Sequence, residues 1–164
     1  MRPQEIVTLL KILCNGPREW YHKELASDLF ISAAEVSYSL QRTADSGLID
    51  SAKKKVKIQS LLEFLIHGIQ YVFSEKPGSI TRGLSTAHSH PMKLQFISDQ
   101  QYVWADAESE ERGLKATPLY LGVVKAAKKD PKLYLMLILI DVLRMGKTRE
   151  KKVAIAELEK LMNQ

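Results

Sequence analysis

A single cysteine, Cys14, in 164 residues leaves no intramolecular disulfide and no cysteine pair for a zinc site or a redox dithiol. It falls on the apolar side of the first helical stretch and reads as a small buried hydrophobe. Long apolar runs are also missing. The longest, Leu133 to Ile140, has eight residues, against the ~20 that cross a bilayer as a helix. The opening MRPQEIVTLL spaces its apolar residues helically and has no continuous block before a small-residue cleavage site, so no secretory signal is expected and the setting is cytoplasmic. Catalytic signatures are absent too: no G-x-S-x-G, no phosphate loop, no dinucleotide glycine fingerprint, and no carboxylate pair whose spacing picks out a cleft. A protein that is not an enzyme, with no cofactor, is the expectation.

What is present is ordinary in amount and uneven in placement. At 45% hydrophobic and 26% charged the chain suits a soluble globular protein of one large or two small domains. Its formal charge of +5 divides into +2 for residues 1–59, −3 for 60–110 and +6 for 111–164. A partner carrying many negative charges would meet the two ends of the chain and not its middle.

The most informative stretch runs from Trp20 to Asp50. Tyr21, Leu25 and Leu29 recur every four residues, with Ala26 beside them, as one buried helical stripe. Ser32 and Glu35 form an S-x-x-E box that starts a second helix at Ala33. Val36, Leu40 and Thr43 face inward on it, leaving Ala34, Ser37, Tyr38, Gln41 and Arg42 outward. Gly47 ends this helix, where a positive φ is usually needed. A partly alternating segment follows, read as two short strands around a turn near Ala52 to Lys54, and it carries Lys53, Lys54, Lys55 and Lys57. Upstream, Ile6, Leu9, Leu10 and Leu13 mark a helix over residues 3–14, closed by Asn15-Gly16-Pro17.

The residues Leu25-Ala26, Leu29, Ile31-Ser32, Val36-Ser37, Leu40, Arg42 and Gly47-Leu48-Ile49 resemble the signature of winged helix-turn-helix regulators of the MarR type. The resemblance covers about the first third of the chain. It implies a recognition helix over Ala33 to Ser46 followed by a β-hairpin wing, and duplex DNA as the partner. A thinner resemblance, in TRGLSTAHSHP, PLYLGVVKAAKKDPKLY and IDVLRMGKTREKK, is to a little-studied bacterial set of winged-helix transcriptional regulators with a helical C-terminal half.

The rest of the chain is expected as follows. Ser60 and Glu63 form another S-x-x-E box opening a helix with Leu62, Leu65, Ile66, Ile69 and Phe73 on its apolar side. Residues 74–92 lack periodicity and read as a loop. Its His88 and His90 stand at a spacing open to a metal, but only Asp99 and Asp106 could help, so a metal site is not expected. A hairpin with Leu94, Phe96, Val103 and Trp104 is expected next, then an acidic helical stretch over 107–112 and a connection over 113–117. Three helices close the chain, from Pro118 to Lys129, from Pro131 to about Arg144, and from Thr148 to Met162. Leu121, Val124 and Ala127 face inward on the first, with Lys125, Lys128 and Lys129 outward. The second is apolar nearly all round, which suits a domain centre or a dimer interface. Its Asp141 needs a partner, for which Arg144 and Arg149 are candidates. On the last, Val153, Ile155, Leu158 and Leu161 face inward.

The expected fold class is mainly α, an N-terminal winged helix-turn-helix followed by a helical C-terminal region. The expected serial division is a head over 1–73, a connection over 74–117 and a helical part over 118–164. The expected function is a DNA-binding transcriptional regulator, acting as a homodimer. Ser37, Tyr38, Gln41 and Arg42 would approach base edges and phosphates, with Ser32 and His22 or Lys23 near the backbone and Lys53, Lys54, Lys55 and Lys57 on phosphates. The alternative is a protein-interaction or antitoxin-like module using the winged helix as a scaffold.

Overall fold

The computed structural model describes residues 1–89 and 100–164. They are mainly helical: α1 (Pro3–Asn15), α2 (His22–Leu29), α3 (Ala33–Asp45), α4 (Ile58–His67), α5 (Ile69–Val72), α6 (Val123–Lys129), α7 (Pro131–Met145) and α8 (Thr148–Met162). Between α5 and α6 lie three short strands, β1 (Ile80–Ser85), β2 (Tyr102–Ala105) and β3 (Arg112–Lys115). The chain forms two compact units, one of residues 1–64 with 119–134, the other of residues 65–118 with 135–164. This partition differs from the serial division expected, because residues 119–134 return to the N-terminal unit.

In the first unit, α1 buries Ile6, Val7, Leu9 and Leu10 completely. Gly16 (φ 62°) caps it, its amide donating to the Leu13 carbonyl at 3.1 Å. Cys14 is half-buried, and burial pushes its thiol up to about 12, which suits the inert role expected. The S-x-x-E box is half realised. The Ser32 hydroxyl accepts from the Glu35 amide at 3.0 Å, but the Glu35 carboxylate turns away to Arg42 and Ser39. After α3, Gly47 (φ 77°) reverses the chain into a minimal hairpin whose one antiparallel bridge joins Ile49 to Val56. The Asp50 carboxylate accepts from the amides of Lys54 (2.7 Å) and Lys55 (2.9 Å), fixing the turn. Those amides hold it below the ordinary carboxylate range.

Asp130 caps α7 as its Asp-Pro start suggested, one oxygen accepting from the amides of Lys132 (3.1 Å) and Leu133 (3.0 Å). The other oxygen takes the Lys11 ammonium at 2.7 Å, and Lys11 also meets Asp28 at 3.3 Å. Burial opposes the charged form of Asp130, but Lys11 and the two amides outweigh it and hold the group below its ordinary range. Two helical expectations need correction. Helix α4 begins at Ile58, so Ser60 lies inside it and does not cap it. Helix α6 begins only at Val123, and Leu121, expected inward, is 94% exposed. The reason is Gly122, whose Cα lies against the Leu29 carbonyl and the Tyr120 ring: a Cβ there would stand 2.9 Å from the first and 2.7 Å from the second. The chain turns there before helix can form.

The second unit holds the sheet, and here the expectation of a structureless 74–92 loop is overturned by β1. Residues Ile80–Arg82 pair antiparallel with β3 and Gly83–Ser85 antiparallel with β2, while β2 and β3 run parallel. Three strands thus close on one another. At the change of partner sits Gly83, where a Cβ would lie 2.0 Å from the Trp104 carbonyl oxygen. Strand β3 replaces the connection expected over 113–117. Of the expected hairpin, Val103 and Trp104 lie in β2, while Leu94 and Phe96 fall outside the described residues.

Asp141 is the buried anchor of this unit. It accepts from the Trp104 indole (2.7 Å), the Thr86 hydroxyl (2.6 Å) and the Arg144 guanidinium (2.7 Å). Burial pushes its carboxyl upward, and Arg144, Thr86 and Trp104 oppose that. Arg144 further donates to the carbonyls of Phe73 (2.8 Å) and Thr117 (3.0 Å) and meets Glu75 at 3.3 Å. Every residue from Met136 to Leu143 is at most 2% exposed in the single chain. Residues 136–143 of the apolar helix are therefore covered within their own chain, the domain-centre role of the two expected. On α8 Leu158 is buried as expected, together with Ala154 and Met162, while Val153, Ile155 and Leu161 are only half-buried. Among the described residues no helix is long and apolar enough to cross a membrane.

Asp141→Ala should leave Arg144 with Glu75 as its remaining acid, strip the Trp104 indole and the Thr86 hydroxyl of their acceptor, and lower unfolding stability by about 3 kcal/mol, the low end for a broken buried pair. Leu121→Ala should change it by less than about 0.5 kcal/mol. Urea unfolding of both variants checks the contrast.

Candidate nucleic-acid interface

The face that carries the expected reading residues is the outer side of α3. Val36, Leu40 and Thr43 are buried as expected, with Ser39, and hold the helix down. Ser37 is exposed, and Tyr38 is 62% exposed. Gln41 is exposed but held at both ends: its amide nitrogen donates to Asp45 at 2.8 Å and its oxygen accepts from the Lys53 ammonium at 2.5 Å. Lys53 has a left-handed backbone (φ 57°), and this contact fastens the hairpin to α3. Beside it, the Lys54 ammonium stands 5.6 Å from the centre of the Trp20 ring, which stacks in turn on His22 with centroids 6.3 Å apart. Lys55 and Lys57 are exposed. Lys53 thereby touches Gln41 on the outer face of α3, and Lys54 is linked to the His22 imidazole through the Trp20 ring.

Three expected residues stand differently. Ser32 is exposed, but its hydroxyl is occupied as the cap of α3. Lys23 lines a separate polar depression of about 410 Å³ with Asn15, Arg18, Glu24, Ser27 and Asp28. Arg42, expected outward, turns back onto α1. Its Nε donates to Glu5 and its Nη2 to Glu35 at 2.7 Å. Glu5 is 1% exposed, and its second oxygen is buried with no hydrogen-bond partner. Releasing Arg42 would cost about 3 kcal/mol or more for a fully buried pair, somewhat less here because Arg42 is partly exposed. A bidentate guanine contact returns about 1–3 kcal/mol. The ion pair wins or draws, so Arg42 orients the helix and is not a free reader.

Sequence reasoning missed two aromatic platforms. Trp20, itself buried, supports Lys54. Phe30, in the turn between α2 and α3, adopts a left-handed backbone (φ 56°) and is 43% exposed. Lys125 and Lys129 of α6 stand 5.7 Å and 4.8 Å from its ring centre. The signal available was an apolar ring at a helix end where glycine or asparagine is usual. As for metals, the described residues hold no cluster of three or more His, Cys, Asp or Glu placed to bind one. His88 packs edge-on to Tyr102 at 4.6 Å, and burial lowers its pKa. Its expected companion His90, like Asp99, lies outside the described residues.

Compared with protein-family models, with curated proteins and with solved structures, the chain has no significant match.

Arg42→Ala should therefore act first on the fold, lowering stability by roughly 2–3 kcal/mol by leaving Glu5 buried and unpaired. Thermal or urea unfolding of this variant beside Ser37→Ala, expected within about 0.5 kcal/mol of the parent, separates the orienting residue from the surface one.

Proposed function

We propose that this chain is a DNA-binding transcriptional regulator whose N-terminal helices and lysine hairpin work as a winged helix-turn-helix of the MarR type. In this reading α3 lies in the major groove and the hairpin is the wing. The observation that carries it is the contact of Lys53 with Gln41, which sets a run of four lysines within five residues beside the outward face of the helix. A lone basic stretch is often only a solvated edge; one tied to an exposed polar helix has a geometry that suits a duplex.

The division of labour follows from which side chains are committed. Ser37 and Tyr38 are the residues free to approach base edges. Gln41 reads only by exchanging its Asp45 and Lys53 partners for an adenine edge. Lys54, Lys55 and Lys57 meet phosphates, each contact releasing counterions, with His22 close by. One helix reads few base pairs, so a homodimer on a two-fold site is part of the proposal, built on a surface other than the covered residues 136–143. The competing reading, an interaction module with the same head as a scaffold, predicts no retention on DNA and a protein partner that co-purifies.

Duplex DNA selected from a random pool by the purified protein supplies the test. Lys54→Ala and Lys55→Ala should each reduce the slope of log affinity against log salt by about 0.9. Tyr38→Ala should weaken the preference for the selected sequence by about tenfold, the scale of one lost base contact, with little change in salt slope. Failure of the parent protein to bind any duplex at low salt would remove the proposal.

A further inference from the structure

Two of the lysines of α6 are placed with more precision than solvated surface lysines need. Residues 119–129 are attached to the turn that introduces α3. The Tyr120 hydroxyl donates to the Leu29 carbonyl at 2.8 Å. Gly122 approaches the same carbonyl so closely that a side chain would collide with it. The Phe30 ring, held outward by its left-handed backbone, then carries the ammonium groups of Lys125 and Lys129 on its surface. Both lysines are exposed, and among the described residues neither forms an ion pair. The acids of the neighbouring cleft, Asp28 and Asp130, are engaged by the buried Lys11.

The geometry points to Lys125 and Lys129 as a second phosphate-binding site, one that grips the DNA backbone opposite to the strand met by the hairpin. This rests on the proposal that α3 enters the major groove. Phe30 lies two residues before the Ser32 cap, at the start of α3, whereas the hairpin is fastened at Gln41. From Ser32 to Gln41 the helix rises about 13 Å at ~1.5 Å per residue. The major groove, about 12 Å wide, is filled by the ~10–12 Å diameter of a helix, so the length of α3 carries its two ends toward the flanking backbones. Lysines thus stand near each end of α3, the hairpin's at one and Lys125 with Lys129 at the other. A segment more than eighty residues away in sequence belongs, on this view, to the DNA-binding surface. The pair carries no sequence information of its own, because it meets only phosphates.

The test uses the full chain and a short mixed-sequence DNA duplex, with affinity measured by fluorescence anisotropy over a range of salt. The double variant Lys125→Ala with Lys129→Ala should flatten the slope of log affinity against log salt by about 1.8, two phosphates' worth. Lys125→Arg with Lys129→Arg should keep the slope, since arginine preserves both the charge and the ring contact. An unchanged slope in the alanine pair, while Lys54→Ala and Lys55→Ala still lower it, overturns this site and leaves the helix-and-hairpin reading standing. Absence of binding by the parent protein overturns both. Far-ultraviolet circular dichroism of each variant confirms that the comparison is between folded chains.

Discussion

A carboxylate on Glu5 with 1% of its residue surface exposed must be neutralised, and Arg42 neutralises it. An unpaired buried charge is worth several kcal/mol against folding, a large part of a small domain's net stability. The rotation of α3 about its own axis is therefore not left to its apolar stripe alone. Arg42 starts from the same face as Tyr38, four residues earlier, and its side chain folds back to Glu5 and Glu35 while Tyr38 stays outward. The pairing fastens α3 to α1, and the hairpin is anchored on the neighbouring Gln41.

The second unit has the same logic in a different setting. Asp141 is 2% exposed, and it joins Trp104 of β2, Thr86 just after β1 and Arg144 of α7. Replacing such a cluster by well-packed apolar residues would often cost nothing; what it adds is a single permitted arrangement. Strands as short as these, one of them changing partner at a glycine, have little pairing of their own to fix their register. The acid and its three donors supply that fixing. They also tie α7 to the sheet of its own unit.

The helices were largely legible because their signals are local. Period, caps and stops located α1, α2, α3, α7 and α8 to within a residue or two, and Ser32, Gly16, Gly47 and Asp130 act as the composition suggested. The sheet was illegible for a physical reason. The buried positions of β1 include Gly83 and Ser85, which give no apolar alternation, and its partners lie far along the chain. The site was half legible. The sequence indicates which residues share the outer face of α3, but not that Arg42 is claimed by a buried acid on α1. Lys125 and Lys129 lay on an ordinary amphipathic pattern, and only the return of residues 119–134 to the first unit brings them to Phe30.

The central claim is that one face, made by α3 and its hairpin, meets duplex DNA. Amide chemical-shift mapping during titration with a DNA duplex addresses it residue by residue. The account predicts that the largest changes fall on residues 34–41 and 53–57, with the Trp20 indole following Lys54. Changes confined to residues 65–118 and 135–164, with α3 and the hairpin silent, would contradict it.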